Sequence, residues 1–268
     1  KNFFYKKCDI SDANLLNNII SEIKPDYLYF LAGQSSAGLS YIKPLLTYNN
    51  NIIGFSNVLE SIRLHSPHTK IFNALSSDCF GETLISDATE ETIHNPSSPY
   101  SLSKTINFNL ANYYIKNHGI FISNIFLFNH ESIRRNKNFV TQKIISSAKQ
   151  IKKKKLNSLK IGNINVIRDW GWAPEFVTFF PRFLDLPSPE NYILATGETY
   201  KLETFIKYAF DFYDLNYLNF IDIDESFIRN NDPIKISANI SKLKNSFNDY
   251  PKLSVPNVVE KLMRNEDF

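Results

Sequence analysis

The chain has 268 residues, of which 43% are hydrophobic, 14% aromatic and 21% charged, the composition of a globular protein able to bury a real core. A net charge of +3 is too weak to argue for a nucleic-acid or membrane partner, and no apolar run reaches membrane-spanning length. Cys8 and Cys79 lie too far apart in sequence to read as a disulfide framework or a zinc site, so the expected setting is reducing and cytoplasmic, with no metal. No signal peptide opens the sequence. The first residue is Lys and the one methionine is Met263, so the sequence is expected to be a fragment of a longer reading frame.

Residues 3–5 read as a short strand ending at Cys8-Asp9. Ser11-Asp12 offers an N-cap for a helix running to about Lys24, with Leu15, Leu16, Ile19, Ile20 and Ile23 on one face and Pro25 as its stop. Residues 27–32 form an apolar run of strand length, as expected of a parallel strand covered on both sides. Residues 51–64 have helical spacing, 70–75 read as the next strand, 100–117 as a long helix and 120–128 as another buried strand. This alternation predicts an α/β fold, a doubly wound parallel sheet of Rossmann type.

Beyond residue 136 the regularity fades. The pattern predicts a helix over 140–155 ending in four lysines, short extended segments at 159–161 and 192–194, and helices over 202–213 and 255–263. The expected organisation is a nucleotide-binding domain over 1–136. A smaller α+β substrate-binding region over 137–268 would be interleaved with the last strands of the sheet.

Tyr100 and Lys104 lie four residues apart and share a helix face. An ammonium beside a phenol stabilises the phenolate and suits it to proton transfer. In a chain with 14 tyrosines, about one such pair arises by chance, and the bland reading is an exposed pair on a helix. Context raises the pair above chance. Ser97-Ser98-Pro99 provides a helix start just before Tyr100, and Ala74-Leu75-Ser76-Ser77-Asp78 closes a buried strand, where α/β folds place their ligands. A hydroxyl at Ser76 could hydrogen-bond a sugar oxygen and Asp78 could move a proton; ordinary turn chemistry is the competing reading for both. The run Phe128-Asn129-His130-Glu131-Ser132-Ile133-Arg134-Arg135 empties a buried strand into a polar cluster. Arg168, Arg229 and Asp232 lie in irregular segments, where arginines suit phosphate contacts or, equally, structural ion pairs. The run 152–155 reads as a solvated helix end.

Together, FNHESIRR at 128–135, FVTQKI at 139–144, SPYSLSK at 98–104, IGNINVIRDWG at 161–171 and LATG at 194–197 resemble the GDP-mannose 4,6-dehydratases, a branch of the extended short-chain dehydrogenase/reductase superfamily. The resemblance implies a Rossmann-type fold, bound NADP, and conversion of GDP-mannose to GDP-4-keto-6-deoxymannose in a dimer or tetramer. It implies Tyr100, Lys104, Ser76 and Asp78 as catalytic residues. Asp9, Ile10, Leu31, Ala32, Gly33, Gln34, Ser35, Lys104, His130 and Arg135 fall at cofactor positions. Asn129, Lys143, Arg168, Arg229 and Asp232 fall where the sugar nucleotide is held.

Several positions depart from the family pattern. Its catalytic glutamate is Asp78 here, which withdraws the carboxylate by roughly 1.5 Å. Its Pro and Gly after His-Glu-Ser are Ile133 and Asn136, and Trp172 replaces a histidine. No glycine precedes Gly33, so the Gly-rich phosphate loop, with the first strand, first helix and second strand around it, is expected to be missing. That predicts weak or absent NADP binding and an open, apolar sheet edge. Two other functions fit the residues: a non-catalytic nucleotide-sugar-binding homologue, and another sugar-nucleotide dehydratase or epimerase.

Overall fold

The computed structural model describes residues 3–228 and 231–266. Helix α1 (Ala13–Ile23) starts where Asp12 accepts a hydrogen bond from the Leu15 N–H at 3.0 Å, and it stops at Lys24, which turns left-handed ahead of Pro25. Strand β1 (Tyr27–Phe30) follows, then short helices α2 (Ala37–Ile42) and α3 (Pro44–Tyr48). A π-helical turn at Asn49–Ile53 leads into α4 (Gly54–His65). Strand β2 (Lys70–Ser76), helix α5 (Pro99–His118) and strand β3 (Ile122–Leu127) complete the alternation that the sequence predicts.

Strands β1 and β2 pair in parallel, with Tyr27 opposite Lys70 and Phe30 opposite Asn73. With β8 (Tyr192–Leu194) they form a parallel sheet in the order β1-β2-β3-β8. Leu16 and Ile20 of α1 join Phe55, Val58, Leu59 and Ile62 of α4, Phe30, Ile71 and Ile122 in one core cluster. Within this core runs a line of amides. Asn73 Nδ2 donates to Asn124 Oδ1 at 2.8 Å, and Asn124 Nδ2 donates to Asn191 Oδ1 at 3.1 Å and Asn112 Oδ1 at 3.3 Å. Asn73 and Asn124 are fully buried.

The strand expected at residues 3–5 does not form: Phe3, Phe4 and Tyr5 have no regular secondary structure and are 79–88% exposed. A strand exists only through its ladder, and among the described residues no strand pairs with β1 except β2.

The chain divides into two compact units. One comprises the residues up to Cys79 with Pro96–Phe126 and Phe180–Tyr192, and holds the elements described so far apart from the end of the sheet. The other comprises Phe80–Asn95, Leu127–Phe179 and the residues from Ile193 onward. Here β4 (Asn129–Glu131) pairs in parallel with β7 (Trp170–Trp172), β5 (Leu159–Ile161) with β10 (Ile221–Ile223), and β6 (Ile167–Arg168) antiparallel with β9 (Tyr200–Lys201). Its core joins Ile144, Ile145 and Ala148 of α6 (Val140–Lys152), Phe205, Ile206 and Phe210 of α8 (Leu202–Asp211), and Val258, Val259 and Leu262 of α10 (Val255–Arg264). Helix α9 (Ser241–Phe247) also belongs here, while α7 (Ala173–Leu184) contributes residues up to Phe179 to this unit and those from Phe180, Pro181 among them, to the first.

Candidate active site

In the first unit β2 ends at Ser76 and a single 3-10 turn, Ser77–Cys79, presents Asp78 half-buried while Ser76, Ser77 and Cys79 stay buried. Ser76 Oγ accepts the Asp78 N–H at 3.2 Å, which ties the turn to the strand end. Helix α5 begins beside it with a capping box: Ser98 Oγ accepts the Ser101 N–H at 3.1 Å, and Ser101 Oγ accepts the Ser98 N–H at 2.9 Å. With Pro99 opening the first turn, this fixes the helix start and places Tyr100, buried, one residue later.

Lys104 lies one turn on, also buried, and its ammonium donates to the Ala74 carbonyl of β2 at 2.8 Å. Burial lowers its pKa to about 8, so the ammonium is held charged at neutral pH close to its limit. Four expected catalytic residues thus collect where β2 meets the first turns of α5. The Cys79 thiol below them is pushed up to about 11 by burial and is inert at neutral pH.

The expected cofactor positions divide. A cleft of about 400 Å³ in the same unit is lined by Lys7, Cys8, Asp9, Ile10, Ala32, Gly33 and Asn50. Asp9 accepts both the N–H and the hydroxyl of Ser11, at 2.9 and 2.8 Å, which holds its carboxyl below its ordinary value. Leu31, Gln34 and Ser35 belong to the same loop after β1 but do not line the cleft.

That loop is anchored by a residue the sequence reading missed. Asn51 is buried, its Oδ1 accepts the Gln34 N–H at 2.8 Å, and its Nδ2 donates to the Gln34 carbonyl at 3.0 Å and to Ser103 Oγ at 2.9 Å. Ser103 in turn donates to the Tyr100 carbonyl at 2.7 Å, and Asn107 Nδ2 donates to the Asn51 carbonyl at 3.1 Å. Gly33 has φ +133°, and a Cβ there would sit 2.5 Å from Asn51 Oδ1, so only glycine fits. The residues that could have signalled this in sequence, an asparagine among Asn49-Asn50-Asn51 and a serine within the helix, carry no pattern of their own.

In the second unit His130 and Arg135 are joined through the backbone: Arg135 Nη1 donates to the His130 carbonyl at 3.1 Å, and its guanidinium lies 4.0 Å from the Phe139 ring centre. Arg135 Nε lies 3.2 Å from Glu131 Oε2, a buried carboxylate that also accepts the Thr141 hydroxyl at 2.7 Å. Burial, with Arg135 nearby, lowers the His130 pKa to about 4. Its Nδ1–H donates to the Phe128 carbonyl at 2.7 Å, which leaves Nε2 as an acceptor at neutral pH.

Of the expected substrate positions, Asn129 opens β4, half-buried, opposite Trp170. Arg168 and Asp232 come together in an ion pair at 3.1 Å. Arg168 is buried, and its Nη groups also donate to the carbonyls of Ile167, Pro233 and Ile234, so they hold the 232–234 segment in place. Lys143 projects from α6 and places its ammonium 3.7 Å from the centre of the Phe227 ring. Arg229 lies outside the described residues. No cluster of metal-ligating residues occurs among the described residues, and none of the helices there is long and apolar enough to cross a membrane.

A family model described as GDP-mannose 4,6 dehydratase matches residues 1–262. GDP-mannose 4,6 dehydratase 1 of Arabidopsis thaliana is 34% identical over 270 residues, which span 97% of this chain and 73% of that protein. GDP-mannose 4,6-dehydratase of Vibrio cholerae is 34% identical over 203 residues, spanning 75% of this chain and 55% of that one. Among solved structures, RMD from Pseudomonas aeruginosa complexed with NADPH superposes with a TM-score of 0.86 at 20% identity, covering 97% of this chain and 87% of its own. UDP-glucose 4-epimerase from Thermotoga maritima with UDP-glucose gives 0.86 at 19%, covering 98% and 84%. At those identities the structural matches speak for the fold alone.

Proposed function

The chain belongs to the GDP-mannose 4,6-dehydratase family, and on that premise we propose that it is a carbon–oxygen lyase converting GDP-mannose to GDP-4-keto-6-deoxymannose with NADP. One observation carries the reading: the Lys104 ammonium is buried on the Ala74 carbonyl, one helical turn from Tyr100 and at the strand end that bears Ser76 and Asp78.

The residues present fit part of the cofactor. Asp9, Ile10, Ala32 and Gly33 line a cleft of about 400 Å³, within the range of small-molecule sites. They would hold one end of NADP, and Lys104 would hold a ribose hydroxyl. When bound, the nicotinamide supplies one chemistry, taking a hydride from C4 of the hexose and returning it to C6.

Tyr100 takes the proton of the C4 hydroxyl, and the positive charge of Lys104 favours its phenolate. Ser76 donates to the C4 oxygen and holds it as the ketone forms. The ketone acidifies C5, where Asp78 removes the proton and passes it to the departing C6 hydroxyl. The proton that Tyr100 took from O4 matches the one C5 regains, so the sum is loss of one water. Incubation with GDP-mannose and NADP is expected to yield a 4-keto-6-deoxy sugar nucleotide, detected by mass loss of one water. Full recovery of unchanged GDP-mannose overturns the reading.

A second reading, sugar-nucleotide binding without turnover, is favoured by Asp78, whose carboxylate falls roughly 1.5 Å short of where a glutamate would reach. It predicts GDP-mannose binding and no product.

A further inference from the structure

Phe227 has no assigned role, yet its placement is unusual for an aromatic side chain. It is 50% exposed, and it closes a 3-10 turn, Glu225–Phe227, that is held from several sides. Asp224 caps the turn by accepting the N–H and hydroxyl of Ser226, at 3.0 and 2.6 Å. The Asp224 N–H donates to the Ile161 carbonyl of β5 at 2.9 Å. The Phe227 carbonyl carbon and oxygen lie 2.8 Å from where a Cβ on Gly162 would be, so the turn is seated on the one residue that lets it approach. A large apolar ring is therefore presented to water on a fixed backbone rather than on a loose loop.

Beneath that ring sits the Lys143 ammonium, 3.7 Å from its centre, with the Asp224 carboxylate near enough to favour its charge. A cation on one face draws electron density from the ring, which strengthens stacking of an electron-rich heterocycle on the opposite face. The ammonium also keeps donors for an anion near the ring. A rigid aromatic platform with a cation beneath it suits a ligand that is a planar base at one end and a phosphate ester at the other.

We propose that Phe227 is the platform on which the nucleobase of the sugar nucleotide stacks, with Lys143 beneath it serving both the ring and the diphosphate. This rests on the proposed sugar-nucleotide function. A purine gains more from such a surface than a pyrimidine, because its stacking area is larger, so the pair favours purine nucleotides over pyrimidine ones.

The test uses the full chain in calorimetric titrations with GDP and with inorganic pyrophosphate, which carries the charge but no base. F227A is expected to weaken GDP binding about tenfold, the scale of one lost base–aromatic stack, while pyrophosphate binding stays within about twofold of wild type. F227W is expected to retain GDP binding, and K143A to weaken both ligands. Three results overturn the inference: F227A binding GDP as wild type does, F227A losing both ligands equally, or F227A binding pyrophosphate more tightly, as a mere cover over Lys143 would require. A wild-type chain that binds no GDP overturns both this inference and the function it rests on. Wild-type GDP binding that F227A leaves unchanged overturns this inference alone.

Discussion

Lys104 is a residue whose chemistry works against the fold that holds it. Its ammonium is buried against one carbonyl, and burial, opposed in part by Cys79, lowers its pKa from 10.5 to about 8. Because the folded value is the lower one, the cost of the charge is fully present below pH 8 and is relieved as pH rises toward 10.5. Lys104→Met is therefore expected to abolish turnover and yet stabilise the chain, by about 2 kcal/mol after the lost hydrogen bond is allowed for. The melting temperature should rise by roughly 4–8 °C at pH 7. That gain should shrink between pH 8 and pH 10.5, and a gain that does not change with pH would refute the account. On the proposed function Asp78 poses the opposite problem, a carboxylate with a shorter reach than a glutamate. Asp78→Glu is expected to raise turnover roughly tenfold, since errors of about 1 Å in a reacting group cost on the order of a hundredfold. Equal or lower rates would mean that the turn at Ser77–Cys79 already compensates for the shorter side chain.

At the scale of elements, α5 shows why its start was legible. Ser98, Pro99 and Ser101 encode a helix N-terminus by local chemistry, and the structure uses all three. Ser98→Ala is expected to cost about 1 kcal/mol, a fall in melting temperature of about 2–4 °C, and to lower kcat because Tyr100 sits in the turn that frays. Other elements were illegible for physical reasons. Helix α7 contains Pro174 and Pro181, which read as breaks; yet the proline near its start is tolerated and Pro181 is carried by packing, with Phe180 4.2 Å from Phe72 and Phe183 in the core. The strands β4, β6, β7 and β9 have two or three residues each, too short for any periodicity to show. The loop after β1 could be read as a ligand position, but not what holds it, because the Asn51 clamp joins residues 17 and 52 positions apart. Gly33→Ala tests the clamp. A Cβ 2.5 Å from Asn51 Oδ1, on a backbone with φ +133°, should cost about 1–3 kcal/mol, read by thermal melting.

For the whole molecule, the order of strands and helices could be read from alternation, because a parallel sheet covered on both faces demands near-continuous apolar strands such as β2. The line of amides from Asn73 through Asn124 to Asn112 and Asn191 has a consequence for measuring the opening of the sheet itself. The side-chain hydrogens on Asn73 and Asn124 meet no solvent while the strands stay closed. In heavy water they should keep their protons until that sheet opens, and so act as an internal clock for global unfolding, readable without any added label.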